Sequence, residues 1–390
     1  MSPPSNRLIS ANDDQPEPFF PLRVYFCERC HLVQLPQFQT AADIFSEYPY
    51  FSSYSKAWLA HVDAYARMAV KRFSLSPGSL VVELASNDGS LLKCFAEASI
   101  PVLGIEPARN VARAASSAGI PTLTEFFGKS LAAQLAADGK RADLIVANNV
   151  LAHAPDLRDF VAGVQELLKP QGVATFEFPH LLRLIEHVEF DTIYHEHFSY
   201  FSLECVLAIF AAHGLTIFDV QEVPTHGGSL RVYAARTASG RVPSDACSMV
   251  LSAERAAGLD RYAGYADFGQ RVQSAKQSFR AFLQDSAAQG KRVAGYGAPA
   301  KATTLLNYCG VKSDLVSYTV DKNPHKQSKM IPGVRIPIFA PEKIFETKPD
   351  YVVIFPWNIK DEIAQQMAGI AQWGGRFVVP IPVATLYLAS

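Results

Sequence analysis

The chain has no run of about eighteen consecutive apolar residues, the length a bilayer-crossing helix needs, so no membrane span is expected. Charge of either sign is scarce as well. Only 19% of residues are charged and the formal net charge is −1, which leaves no global field to recruit nucleic acid or an anionic membrane. An anionic ligand must therefore be held by local groups. Six cysteines in 390 residues are too few for a disulfide framework, and Cys94, Cys205, Cys247 and Cys309 read as small buried hydrophobes. The N-terminus, with Pro3, Pro4, Asp13, Asp14 and Pro16, lacks a signal-peptide core, and a cytoplasmic location is expected. The H-E-x-x-H spacing that sets two zinc ligands on one helical face is missing too.

What remains is the composition of a folded protein too long for one ordinary core, and two domains with attachments are expected. Residues 1–20 read as a flexible polar leader, and 21–68 as a small Cys- and aromatic-containing region that includes the Tyr48–Ser55 segment. Over 69–250, short apolar strands alternate with helices: Leu80–Ala85, Pro101–Glu106, Asp143–Asn148, Val173–Phe178, Thr216–Val223 and Leu230–Ala235. That alternation predicts an α/β fold with a mainly parallel sheet and ligands at the carboxyl ends of its strands. Residues 251–289 read as a helical connector. From 290 to 390 a second, smaller α/β unit begins at Arg292–Gly297.

Chemistry is densest at Tyr194-His195-Glu196-His197. Imidazoles titrate near neutrality and a phenol can donate to a developing oxyanion, so the cluster offers both a base and an electrophile. If the stretch is extended, His195 and His197 point to opposite faces and only one meets substrate. Glu83-Leu-Ala-Ser-Asn87-Asp88-Gly89 sits where the first strand turns into a helix, and Gly89 permits close approach of a nucleoside to backbone amides. Glu106 ends the next strand and can accept both hydroxyls of a ribose. The spacing of Cys27 and Cys30 lets both thiolates face one tetrahedral metal. A structural zinc needs two further ligands, so a zinc site that recruits His31 or His61 and a reduced, metal-free pair are both open.

Two groups of three motifs, taken in order, resemble known proteins. Glu83–Gly89, Gly104-Ile-Glu106-Pro107 and Ala147-Asn148-Asn149-Val150-Leu-Ala-His153 resemble class I S-adenosylmethionine methyltransferases. Tyr194–His197, Thr225-His226-Gly-Gly-Ser-Leu-Arg231 and Gly295-Tyr-Gly-Ala-Pro-Ala-Lys301 are similar to the nucleotide-sugar C-methyltransferases. These build branched deoxysugars, including those of antibiotics, by methylating C3 of thymidine-diphosphate 4-keto-deoxyhexoses.

The resemblance implies a class I Rossmann-like domain and a second, C-terminal Rossmann-like domain that helps hold the nucleotide sugar. It implies S-adenosylmethionine at Glu83, Asn87, Asp88, Gly89, Glu106 and Asn148. Active-site positions fall on His153, Tyr194, Glu196 and His197, with Tyr48 contributed by the N-terminal region. His197 is then the base, oriented by Glu196, while Tyr194 and His153 hydrogen-bond the sugar. His226, Lys301, Lys329 and Arg335 are candidate substrate contacts, and a monomer is expected.

One departure stands out. The family carries two Cys-x-x-Cys pairs that bind zinc, whereas here only Cys27 and Cys30 are present and the polar leader replaces the first pair, as a shortened or misassigned start would leave it. Three alternatives make different demands: O-methylation of a sugar hydroxyl, a nicotinamide-dependent sugar oxidoreductase using Gly295-Tyr-Gly297 with Asp321, and a non-catalytic sugar-nucleotide binder.

Overall fold

A computed structural model describes residues 1–387 apart from 11 and 14, so Asp14 of the expected leader and the last three residues of the C-terminal unit lie outside the described residues. Two compact units emerge. The larger comprises Tyr25–Leu182 and Phe198–Tyr262, and the smaller comprises the described residues of Met1–Val24, Arg183–His197 and Ala263–Ser390.

The larger unit is built on α1 (Lys56–Arg72) and a seven-stranded sheet: β1 (Val81–Leu84), β2 (Val102–Ile105), β3 (Thr122–Leu123), β4 (Ala142–Asn148), β5 (Leu168–Pro179), β6 (Leu215–Val223) and β7 (Ser229–Arg236). Their order across the sheet is β6-β7-β5-β4-β1-β2-β3. Pairings among β1 to β5 are parallel, and β7 runs antiparallel to both neighbours. Chain order reverses between β1 and β4, so their carboxyl ends frame a crevice in which Glu83 and Asn148 lie. Strands such as Val81–Leu84 are wholly buried and apolar but for Glu83, because helices cover both faces. Ser55 caps α1 by accepting from the Trp58 amide, and Val62, Tyr65, Ala66 and Ala69 form its buried stripe against Phe95 and Tyr233. This helix thus belongs to the methyltransferase-like sheet, although the sequence places that domain's start at 69.

The smaller unit has α2 (Phe268–Ala288), β8 (Val293–Tyr296), α3 (Ala300–Cys309), β9 (Thr319–Val320), β10 (Ile338–Phe339), β11 (Tyr351–Ile354), β12 (Arg376–Val379) and β13 (Thr385–Tyr387). Its sheet order is β10-β9-β8-β11-β12-β13, parallel except for β13. This is the second α/β unit expected from the sequence. The expected connector is two helices that go separate ways: Asp245–Ala256 buries Cys247 in the larger unit's core, and α2 buries Phe279 and Leu283 in the smaller one.

The leader is not loose. Ile9–Ser10 pairs with Lys329–Met330, the Ser5 carbonyl accepts from Thr303 Oγ1 at 3.1 Å, and Glu17 takes Arg335 at 2.8 Å. A polar composition concealed this, because the segment is held by backbone pairing and single polar ties instead of an apolar stripe.

Candidate active site

In the larger unit the turn after β1 is shaped by Ala85 and Asn87, both in left-handed conformation, and by Gly89 at φ 76°. A Cβ on Gly89 would approach the Ile120 side chain to 3.0 Å, so glycine is required there on both counts. Glu106 fixes the loop: its two carboxylate oxygens accept from the amides of Asn87 and Ala108, each at 2.8 Å. Asn87 Oδ1 accepts from the Ser52 amide and Asp88 Oδ2 from the Ser53 amide, both at 2.9 Å, so the aromatic segment docks on this loop. Tyr48 exchanges two backbone bonds with Asn110, and Phe45 packs on both Tyr48 and His153.

A cleft lined by Ser52, Trp58, Glu83, Ser86, Asn87 and Asn148 lies at this switch point. Glu83 Oε2, Ser86 Oγ and both amide atoms of Asn148 are buried in it without a hydrogen-bond partner among the described residues. Such atoms call for a polar ligand. Burial, then the nearby Asp88 and Glu106 charges, raises the Glu83 carboxyl well above its usual range, and burial also raises Glu106. A cation would restore ionisation to both. The cleft therefore fits the sulfonium and ammonium charges of S-adenosylmethionine, while Glu106 keeps lone pairs for a ribose.

Beside the cleft, Glu177 on β5 is fully buried and takes Arg231 at 2.6 Å, His61 at 2.9 Å and Thr225 at 2.8 Å. The loop that Thr225 anchors carries His226, in left-handed conformation, whose Nε2 lies 3.2 Å from Asn149 Nδ2. Glu177 lay outside the sequence reading, and His61 entered it only as a possible zinc ligand, whereas here it pairs with Glu177. An isolated histidine on a helix and a glutamate in a strand carry no local signal of their pairing.

The smaller unit holds the remaining expected residues. The 3-10 turn Phe190–Thr192 and the turn closed by the His197 amide on the Tyr194 carbonyl replace the extended strand envisaged for this stretch. His197 Nδ1 faces the Thr192 carbonyl at 2.9 Å, which only accepts, so Nδ1 carries the proton and Nε2 presents a lone pair. The Tyr194 hydroxyl donates to that lone pair at 2.8 Å. Both ring nitrogens are thus engaged by groups other than Glu196, whose Oε2 accepts from Asn6 at 2.7 Å. His195 separates from its neighbours: its Nε2 donates to the Pro21 carbonyl at 3.2 Å and burial lowers its pKa.

The basic candidates are placed less simply. Lys301 lies over Trp357, with Nζ 4.0 Å from the ring centre, and donates to Asn358. Arg335 engages Glu17, and Lys329 sits in the strand pair with Ile9–Ser10. Cys27 and Cys30 occupy a ribbon turn closed by the His31 amide on the Cys27 carbonyl. Among the described residues no group of three or more His, Cys, Asp or Glu is placed to hold a metal, so two thiols are half a tetrahedral set and no chemistry is routed through zinc.

Family models match in three blocks: "Putative zinc binding domain" at 1–45, "Methyltransferase domain" at 58–220 and "C-methyltransferase C-terminal domain" at 224–382. C-methyltransferase NovU of Streptomyces niveus is 36% identical over 382 residues, covering 98% of this chain and 91% of that protein. Among solved structures, magnesium protoporphyrin IX methyltransferase of Synechocystis PCC 6803 with bound S-adenosylmethionine is 19% identical, with TM-score 0.35, over 46% of this chain and 79% of that one. The glycopeptide N-methyltransferase MtfA is 15% identical, with TM-score 0.36, over 45% and 93%.

Proposed function

The chain belongs to the S-adenosylmethionine-dependent C-methyltransferases, and from that premise we propose that it methylates C3 of a thymidine-diphosphate-linked 4-keto-deoxyhexose in the biosynthesis of a branched deoxysugar. The observation that carries this reading is the Tyr194–His197 pair, an imidazole set by the Thr192 carbonyl at Nδ1 and meeting a phenol at Nε2. Carbon next to a ketone is weakly acidic, so the reaction needs a base and a donor for the developing enolate.

In the proposed sequence the C3–H bond breaks and its proton passes to the Tyr194–His197 pair, while the electron pair spreads onto the C4 oxygen. His153, Tyr48 and Glu196 are the supporting groups for the sugar. S-adenosylmethionine supplies an electrophilic methyl group whose S–CH3 bond breaks as the C3–CH3 bond forms, leaving the sulfur neutral. Glu83, Asn87, Asp88, Gly89, Glu106 and Asn148 hold the cofactor in this reading. His226 is proposed to touch substrate from its loop.

A nicotinamide reading of the second Rossmann-like unit is disfavoured by Asp321. Its oxygens accept from the amides of Ala298 at 2.8 Å and Asn323 at 2.9 Å, and Oδ2 also lies 3.7 Å from the Lys326 ammonium, so, unlike Glu106, this carboxylate already has a cation of its own. A Cβ on Gly297 would also lie 2.5 Å from Pro356.

The deciding experiment is incubation with S-adenosylmethionine and a thymidine-diphosphate 4-keto-2,6-dideoxyhexose in deuterated water. A gain of one carbon-bound methyl group, with C3 exchange in the absence of cofactor, is expected. A methyl ether, or neither exchange nor transfer, overturns the proposal. Glu106→Gln should weaken S-adenosylmethionine binding by calorimetry roughly tenfold to a hundredfold, the size of a lost charge-assisted hydrogen bond. Affinity equal to that of the native protein would remove Glu106 from the cofactor site.

A further inference from the structure

The turn that carries Tyr194 and His197 is fastened to the C-terminal Rossmann-like fold at three adjoining points. Thr304 on α3 donates its hydroxyl to the Ile193 carbonyl at 2.9 Å. Tyr308, one turn further along the same helix, packs on Phe190 with ring centres 5.2 Å apart. The Trp357 indole N–H donates to Asp191 Oδ2 at 2.8 Å. Between Asp191 and Ile193 lies Thr192, whose carbonyl sets the His197 ring. All three ties therefore flank the Thr192 carbonyl that meets the imidazole, two on its N-terminal side and one on its C-terminal side.

Lys301 completes the device. It sits one turn before Thr304 on α3, above the Trp357 ring and bonded to Asn358. Asp191 is wholly buried, and its Oδ1 has no hydrogen-bond partner among the described residues. Burial pushes Asp191 up to about 6 and Glu189 up to about 7, and in both cases the Lys301 charge opposes the rise. Burial in turn lowers the Lys301 ammonium, against the pull of Asp191 and Glu189. A buried carboxylate without a compensating cation is costly and will reorganise its surroundings or take up a proton.

We propose that Lys301, Asp191 and Trp357 form a positioning unit that holds the Thr192 carbonyl, and through it the His197 ring, and that Lys301 is not a phosphate contact. The lysine of the Gly-Tyr-Gly-Ala-Pro-Ala-Lys motif then serves charge balance beneath the turn. This rests on the reading of His197 as proton acceptor.

The test uses the full chain with S-adenosylmethionine and the thymidine-diphosphate 4-keto-2,6-dideoxyhexose. Lys301→Met is expected to lower kcat by roughly a hundredfold, the effect of displacing a reacting group by about 1 Å. KM for the sugar nucleotide should stay within about twofold, because no uniform binding contact is lost. Adding Asp191→Asn, which removes the stranded charge, should recover roughly tenfold of the loss, as expected for strongly coupled neighbours. A raised KM at unchanged kcat, or no recovery in the double variant, overturns the proposal.

Should Lys301→Met fail to fold, Thr304→Val probes the adjoining peptide, whose Ile193 carbonyl it holds, and should lower kcat by about tenfold. An unchanged kcat would count equally against the proposal. Nitrogen-15 imidazole spectra give a readout independent of turnover: His197 should be the Nδ1–H tautomer in the native protein and lose that preference in Lys301→Met or Thr304→Val. An unaltered signature defeats the positioning role. If the native protein leaves the sugar unmethylated, the proposed function fails instead, and the tautomer signature still decides this inference.

Discussion

His197→Ala is expected to lower the rate of C-methyl transfer by roughly three orders of magnitude, the middle of the range for loss of a general base. The expectation rests on the ring's two contacts. With Nδ1 committed to the Thr192 carbonyl, Nε2 is the atom able to take a proton, and the Tyr194 hydroxyl already lies 2.8 Å from it. Removing the imidazole takes away the acceptor that the phenol meets at 2.8 Å. Tyr194→Phe should therefore cost nearly as much, and the double variant little more than either single change, since residues acting as a unit are strongly non-additive.

The measurement is methyl incorporation by mass spectrometry, together with hydrogen–deuterium exchange at C3 of the sugar in the absence of S-adenosylmethionine. Both should fall in parallel. Calorimetric affinity for S-adenosylmethionine should stay at its native value, because Glu83, Glu106 and Asn148 belong to a separate compact unit. Exchange that persists at the native rate in His197→Ala would remove this residue from proton abstraction altogether.

The parts that were legible in the sequence are those written in local patterns. The helix over 56–72 shows its apolar spacing, and the strands around Glu83 and Asn148 are short, mostly apolar runs bounded by turn residues. The doubly wound sheet follows from their alternation. What escaped depends on long-range pairing. Asn6 reaches Glu196 across 190 positions, Trp357 reaches Asp191 across 166, and Arg231 meets His61 and Glu177 from separate elements. None of these contacts leaves a periodicity.

Lys301 shows the same limit in another way. A lysine after a glycine-rich turn reads as an anion contact, and its bond to Asn358 and its place over Trp357, whose indole reaches Asp191, come from elements far away in the chain. The Thr192 carbonyl at His197 Nδ1 escaped in the same way, since a backbone carbonyl is a group every residue possesses and no sequence can single out.

Glu177→Gln is expected to destabilise the protein by about 3 to 5 kcal/mol, the usual result of removing one partner from a buried ion pair. Arg231 is almost fully buried, its Nε has no hydrogen-bond partner among the described residues, and its charge is met by Glu177 with Tyr65 beneath the guanidinium. A neutral amide would leave that charge stranded beside His61.

The pH dependence carries a definite sign. Burial opposes ionisation of Glu177, but the His61 hydrogen bond, the Arg231 charge and the Thr225 hydroxyl overcome it and hold the carboxyl at about 2, below the usual 4.5. A carboxyl depressed on folding contributes stability that is fully present above its unfolded value and is lost as pH falls through the folded one. The native protein should therefore lose about 3 kcal/mol between roughly pH 4.5 and 2 through this group alone, and Glu177→Gln should lack that component. Urea unfolding of both proteins at pH 7 and at successive lower values tests this directly. Parallel pH profiles in the two proteins would show that Glu177 is not held ionised by its partners. Because the Thr225 hydroxyl leans on the Glu177 carboxylate, the variant should also loosen the His226 loop beside the cofactor cleft, raising KM for S-adenosylmethionine even at temperatures where the protein remains folded.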